Sequence, residues 1–248
     1  MLLQEKTAVI TGCNRGIGKA VLETFAENGA DIFACARKES DEFSNVAARL
    51  SEKTGVSITP VFFDFTESEQ IKAGIKVILS SKKQIDIMVN NAGVASGSFF
   101  QMTSLKGLKQ VFEINFFSQI LFTQGISRYM TRFKTGSIIN IASTAGLIGD
   151  AGMTSYGSSK AALMFATKTM ATELGEMNIR VNAIAPSITK TDMFDQMEEK
   201  ARSKLINASA LKRPAEAVEV ANVALFLASD LSSYVTGQVL RVDGGLTT

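Results

Sequence analysis

Short apolar runs alternate along this chain with longer stretches whose apolar residues return every three to four positions. A short apolar run bounded by turn residues reads as a buried strand, and the longer period reads as an amphipathic helix. The first run, residues 7–11, predicts a strand. Ile17, Ala20, Val21 and Phe25 then recur at helical spacing, and Gly29 is a helix stop. Further strands are predicted at residues 31–36, 58–63, 86–90, 137–142, 180–185 and 238–242. Long helical patterns cover residues 105–133, 152–175 and 215–228. Strand followed by helix throughout predicts an α/β fold, a doubly wound parallel sheet of about seven strands with helices on both faces. No repeat, low-complexity tract or Pro/Gly-rich linker interrupts it, so residues 1–248 read as a single domain. Ligands of such sheets bind at the carboxyl ends of the strands, where strand order reverses.

Composition narrows the class. Hydrophobic residues make up 46% and charged residues 20% of the 248, as in a soluble globular protein with a substantial core. A net charge of +2 gives no electrostatic footprint for nucleic acid. Cys13 and Cys35 form no close pair in sequence, which implies neither a disulfide framework nor a zinc site, and a reducing compartment, the cytoplasm, fits best. The amino-terminal residues lack the features of a signal peptide. No apolar run approaches the roughly 18 residues of a membrane span. The charged stretch Glu198-Glu199-Lys200 reads as a solvated helix face.

The first strand runs into Thr11-Gly12-Cys13-Asn14-Arg15-Gly16-Ile17-Gly18. Glycines permit a tight turn and close backbone approach to a phosphate, and the following helix offers free N–H groups at the positive end of its dipole. Three residues separate the first two glycines, so this is not the G-x-G-x-x-G fingerprint, and a tight strand-to-helix turn alone would show glycines too. The second strand ends Cys35-Ala36-Arg37, without the carboxylate that grips the ribose of NAD. Arg37, with Arg15 in the loop, would welcome a 2′-phosphate, since charge-assisted hydrogen bonds contribute roughly 1.5–3 kcal/mol each. NADP(H) is therefore expected over NAD(H), against the alternative that both arginines are plain surface residues.

The chain contains no histidine, which removes the commonest general acid/base and metal ligand. Tyr156 and Lys160 stand four residues apart in a predicted helix and share one face, with Ser143 thirteen residues before the tyrosine. A phenol titrates near pH 10, and a cation one turn away is expected to lower that value. Tyr156 is the candidate for proton transfer.

In this order and spacing the motifs resemble the short-chain dehydrogenase/reductase family across essentially the whole chain. They are the loop 11–18, Asn90-Asn91-Ala92-Gly93, Asn115, Ser143, Tyr156 with Lys160, and the tail Tyr234-Val235-Thr236-Gly237-Gln238 leading to Asp243-Gly244-Gly245. The resemblance implies a Rossmann-type fold and an enzyme in which Tyr156 protonates a carbonyl oxygen as hydride arrives. Ser143 would hold the same oxygen, Lys160 would bind the nicotinamide ribose, and Asn115 would hold a water in a relay to Lys160. It further implies cofactor contacts from Gly12, Asn14, Arg15, Gly16, Ile17 and Gly18. Asp64 with Phe65 would contact the adenine, and Asn91, Ala92 and Gly93 the adenosine side. Pro186, Thr189 and Thr191 would lie near the nicotinamide. Ser187 stands where the family usually has glycine, which would strain the loop if that position needs a positive φ.

Within the family the likeness is greatest to the 3-oxoacyl-carrier-protein reductases, in residues 181–186, 191–193 and 226–230. It implies an acyl-thioester carbonyl substrate, an acyl carrier protein as partner and a homotetramer. Arg128, Arg132 and Lys134 are the cations available to an acidic carrier, or else an ordinary solvated helix end. The alternatives are a reductase of a small ketone, sugar, sterol or polyol, and a cofactor-sensing module without turnover. The survival of Ser143, Tyr156, Lys160 and Asn115 favours an enzyme.

Overall fold

The computed structural model describes residues 1–247. Seven strands form one parallel sheet in the order β3-β2-β1-β4-β5-β6-β7. They are β1 (Thr7–Thr11), β2 (Asp31–Ala36), β3 (Ile58–Phe62), β4 (Ile87–Asn90), β5 (Gly136–Ile141), β6 (Ile179–Pro186) and β7 (Val239–Val242). Each begins or ends within about a residue of its predicted bounds, the uncertainty usual for element ends. Pro60 lies in β3, an edge strand, where a missing N–H costs no ladder bond on the open side.

Alternate residues of each strand feed two cores. Ala8, Ile10, Ile87, Val89, Ile139 and Ile141 face α1 (Gly16–Glu27), α2 (Asp41–Thr54) and α9 (Ala217–Ala228). Val9, Phe33, Met88 and Ile138 face α3 (Ser68–Ser80), α5 (Ser118–Met130) and α6 (Thr154–Leu174). Cys13 and Cys35, distant in sequence, are neighbours: the Cys13 N–H donates to the Cys35 carbonyl at 3.2 Å. Their side chains enter opposite cores and both thiols are free and buried.

The predicted helix 105–133 is not continuous. α4 (Leu105–Phe112) passes into a π-helical turn, Glu113–Phe117, before α5. Such turns are uncommon and often mark functional sites. Two short helices, α7 (Asp192–Asp195) and α8 (Glu199–Ala208), follow β6, and Glu199 and Lys200 are solvated as expected.

The strand order reverses between β1 and β4. The chain runs outward from β1 to β3, then returns to place β4 on the other side of β1. The loops after these two strands border the crevice where doubly wound folds bind ligands.

Candidate active site

At the switch point, Thr11 and Asn91 lock the two loops together. Thr11 Oγ1 donates to the Val89 carbonyl at 3.3 Å and accepts from the N–H groups of Asn91 and Ala92, each at 3.0 Å. The Asn91 amide donates to the carbonyls of Thr11 (3.0 Å) and Gly12 (3.1 Å). Gly12 has φ +72°, and a Cβ on Gly18 would sit 2.1 Å from the Gly12 carbonyl oxygen. Only glycine permits that approach of helix to loop. Arg15 caps α1 without a side-chain hydrogen bond, and no acidic residue occupies the first turn. The N–H groups there are therefore open to an anion, which fits a pyrophosphate. Asn14 is exposed on the loop and Ile17 packs against the core.

Arg37 is exposed after β2 and, among the described residues, makes no ion pair. Arg15 does: its guanidinium lies 3.1 Å from Asp192 of α7. Of the two candidate cations, one is thus engaged in an exposed ion pair. Asp64 closes a turn, accepting from the Thr66 N–H (2.8 Å) and hydroxyl (2.9 Å). The Phe65 side chain is core, packed on Phe63 and Phe122 with centroids 5.3 and 5.9 Å away.

Ser143 follows β5 and starts a tight turn, its Oγ accepting from the Ala145 N–H at 3.2 Å. Two glycines bring that turn onto α6. A Cβ on Gly157 would lie 2.4 Å from the Ala145 carbonyl oxygen, and one on Gly146 would lie 2.7 Å from the Ala161 nitrogen. Ser143 thereby meets the Tyr156 hydroxyl. Burial pushes the phenol's pKa up, and the Ser143 hydrogen bond pulls it back only in part. The sequence expectation of a lowered value is corrected: removing the phenolate from water is the dominant effect here. Lys160 is 3% exposed, donates to the Ile141 carbonyl at 2.8 Å, and lies 5.9 Å from the Tyr156 ring centroid. Burial lowers its pKa to about 8.

Asn115 sits in the π turn, fully buried. Its Oδ1 accepts from the Val94 N–H at 2.8 Å, and its Nδ2 donates to the Val94 carbonyl at 2.9 Å and to Ser159 Oγ at 3.1 Å. Ser159 in turn donates to the Tyr156 carbonyl at 2.7 Å. The amide is thus occupied in tying the loop after β4 to the helix that carries Tyr156. Gly93 lies in the gap: a Cβ there would meet Asn115 Oδ1 at 3.1 Å and Lys160 Nζ at 3.4 Å.

The loop after β6 folds back over the glycine turn. Pro186 ends the strand, and Thr189 Oγ1 donates to the Ser187 carbonyl at 3.0 Å. The Thr191 methyl lies 3.2 Å from where a Gly16 Cβ would be. Ser187 is absent from the positive-φ residues, so the strain considered at that position does not arise.

Sequence reading missed Ser159 and the glycines 146 and 157, and it quoted Thr11 and Asp192 within motifs without the bonds they make here. The one available signal was at Asn90 and Asn140, polar positions in apolar strands. Asn90 donates to Asn140 Oδ1 and Thr123 Oγ1, both at 2.8 Å. Buried amides require such partners. The cations Arg128, Arg132 and Lys134 are not at this site. They stand at the far end of α5, where Met130 packs on Gly136 at the start of β5, the amino end of the sheet.

Comparisons with known proteins bear on the family and the fold. A family model described as enoyl-(acyl carrier protein) reductase matches residues 12–247. The chain is 38% identical over 248 residues to the 3-oxoacyl-[acyl-carrier-protein] reductase FabG of Thermotoga maritima, covering 99% of each. It is 35% identical over 245 residues to the 3α-hydroxysteroid dehydrogenase of Mediterraneibacter gnavus, covering 98% of each. A solved 7α-hydroxysteroid dehydrogenase, complexed with NADH and 7-oxo glycochenodeoxycholic acid, superimposes with a TM-score of 0.90 at 33% identity, covering 99% of this chain and 95% of that one. The serine, tyrosine and lysine gathered at the carboxyl ends of a doubly wound sheet, with these full-length likenesses, place the chain in the short-chain dehydrogenase/reductase family of oxidoreductases.

Proposed function

We propose that the protein reduces the ketone of a 3-oxoacyl thioester to a secondary alcohol, with NADPH as hydride donor. The observation that carries this is the convergence of Ser143, Tyr156 and Lys160 beside the glycine loop and the open end of α1. The nicotinamide supplies the hydride when bound. The remaining work belongs to the chain. Tyr156 keeps its proton at neutral pH because its surroundings disfavour the phenolate. It gives that proton to the substrate oxygen as negative charge develops there. Ser143, its Oγ fixed by the Ala145 N–H, turns its proton from the Tyr156 oxygen toward the same substrate oxygen. Lys160 uses one N–H on Ile141, leaving two for a ribose, and carries its charge below a pH of about 8. A hydride and a proton together account for the alcohol.

Open N–H groups at α1 and the close approach at Gly12 and Gly18 support the dinucleotide site, with Gly16, Asn91, Ala92 and Gly93 along its wall. The unpaired Arg37, and the absence of a carboxylate at the end of β2, support NADP(H) over NAD(H). Thr189 and Thr191 on the folded-back loop support nicotinamide contacts from that side. Asp64 and Phe65 are read as offering the adenine their backbone and carboxylate more than the Phe65 ring, which the core holds. The 3-oxoacyl substrate rests on the likeness to the Thermotoga maritima reductase. A carrier protein is part of that reading, though Arg128, Arg132 and Lys134 would not steer it to the mouth of the same protomer. Exposed Phe117 in the π turn and Phe165 on α6 support self-association, read as a homotetramer. Among the described residues no helix is long and apolar enough to cross a membrane. The free thiols support a reducing compartment, the cytoplasm.

The test is NADPH consumption with a short 3-oxoacyl thioester, with Tyr156→Phe as control. Consumption that vanishes in the variant supports the reading. NADPH binding without consumption overturns the substrate assignment.

A further inference from the structure

The segment from Val94 to Leu105 carries no charged residue, and it holds the most concentrated exposed apolar surface beside the site. Phe99 is 66%, Phe100 78% and Met102 76% exposed. A phenylalanine presents about 150–250 Å². Two such rings beside the Met102 side chain make a patch of the size that marks a binding surface.

This exposure is built into the loop. A 3₁₀ turn at Phe100–Met102 holds the side chains outward. The Met102 N–H donates to the Phe99 carbonyl at 2.8 Å, and Thr103 Oγ1 donates to the carbonyls of Ser98 (3.2 Å) and Phe99 (3.1 Å). The loop is also fastened to the site at two points. Asn115 grips Val94 at its base. The Ser98 N–H donates to the Gly152 carbonyl at 3.0 Å, and a Cβ on Gly97 would touch the Met153 methyl at 3.9 Å. Met153 lies three residues before Tyr156. The apolar turn is therefore a lip on the wall that carries the proton donor.

We propose that this lip, with Phe99, Phe100 and Met102 as its contact residues, receives the hydrocarbon chain of the substrate. The inference rests on the reading of the protein as an acyl-thioester ketone reductase and specifies which acyl groups it takes: alkyl chains long enough to reach from Tyr156 to the lip. The absence of charge from position 94 to 105 suits an alkyl chain and offers nothing to an acidic protein or a phosphate. Continuity with the site favours the substrate over a second copy of the chain.

The chain contains no tryptophan, so Phe100→Trp makes a sole reporter at the lip. Its emission is followed in the NADPH complex with octanoyl and acetyl thioesters of N-acetylcysteamine, neither of which has a ketone to reduce. A saturable blue shift with octanoyl and none with acetyl is expected. An equal response to both, no response, or a shift that follows protein concentration without ligand overturns the inference, the last by assigning the patch to self-association. In parallel, Phe99→Ser/Phe100→Ser/Met102→Ser is assayed with 3-oxoacyl thioesters of increasing length. In the native protein kcat/KM is expected to rise by up to about fourfold per methylene buried, the equivalent of ~0.8 kcal/mol. The triple variant is expected to lose that rise. An unchanged length dependence overturns the lip. Chain binding without any ketone reduction leaves the lip standing and removes the function reading. Ketone reduction without chain-dependent emission does the reverse.

Discussion

The side chain of Asn115 pairs with both backbone groups of Val94, accepting from its N–H at 2.8 Å and donating to its carbonyl at 2.9 Å. An amide side chain thus closes a ladder rung that the loop after β4 has no strand to supply. The remaining Nδ2 proton goes to Ser159, so one residue joins this loop, the π turn and α6. Asn115→Ala leaves the Val94 groups without their partners and should cost about 2–3 kcal/mol, read from urea unfolding. Asn115→Asp keeps the size and one acceptor but turns the donor toward the Val94 carbonyl into an acceptor. It should destabilise at least as much as the alanine. An aspartate variant as stable as the native protein would show that the donated bonds contribute nothing.

Gly18 is a second point where one atom decides. An added Cβ would stand 2.1 Å from the Gly12 carbonyl oxygen and 2.4 Å from the Asn91 amide nitrogen. Neither neighbour yields freely, because the Asn91 amide already bridges the Thr11 and Gly12 carbonyls. Gly18→Ala should lose about 1–3 kcal/mol of stability and weaken NADPH binding together. Gly175, with open space where a Cβ would be and ordinary helical dihedrals, is the control. Gly175→Ala should stabilise by about 0.4–1 kcal/mol. Titrating NADPH into both variants separates a local effect at the loop from a general effect of glycine replacement.

Arg15 and Arg37 differ in what holds them. Arg15 is engaged with Asp192, whereas Arg37 has no ion-pair partner among the described residues. Arg37→Asp should lower the ratio of catalytic efficiencies for NADPH and NADH by about tenfold or more, the scale of one charge-assisted bond of roughly 1.5–3 kcal/mol. Arg15→Asp should move the ratio less. A ratio unmoved by Arg37→Asp would take that residue out of cofactor choice.

The strands were legible because each is an apolar run set off by turn residues, and the site residues because Ser143, Tyr156 and Lys160 keep a recognisable spacing. The π turn was not, since Phe112, Phe116 and Phe117 continue a helical apolar pattern through it while only the backbone changes. Nor was the part of Gly146 and Gly157, whose meaning lies in the turn and helix they let approach. The direction of the Tyr156 shift was misjudged for a related reason. Spacing places a cation one turn away, but burial around the phenol and the hold of Ile141 on Lys160 arise only when β5 meets α6.

Lys160 joins stability to pH. Its pKa falls by burial from 10.5 to about 8. The folded protein therefore disfavours the ammonium, and the penalty is present in full below a pH of about 8. Between that pH and 10.5 the unfolded chain holds the proton and the folded one does not, so stability from this group rises with pH across that window and is flat outside it. Lys160→Met removes the penalty and also the bond to the Ile141 carbonyl, which offsets about 1 kcal/mol. The variant should be more stable than the native protein at pH 7, by about 2 kcal/mol, with the gain fading as the pH approaches 10. It should also be inactive. In the native enzyme kcat/KM should fall as pH rises through about 8, when Lys160 gives up its charge. Urea midpoints of both proteins at pH 7 and pH 10 decide the matter. A methionine variant less stable at pH 7, or a difference that does not change with pH, would mean that the buried amine carries no such penalty.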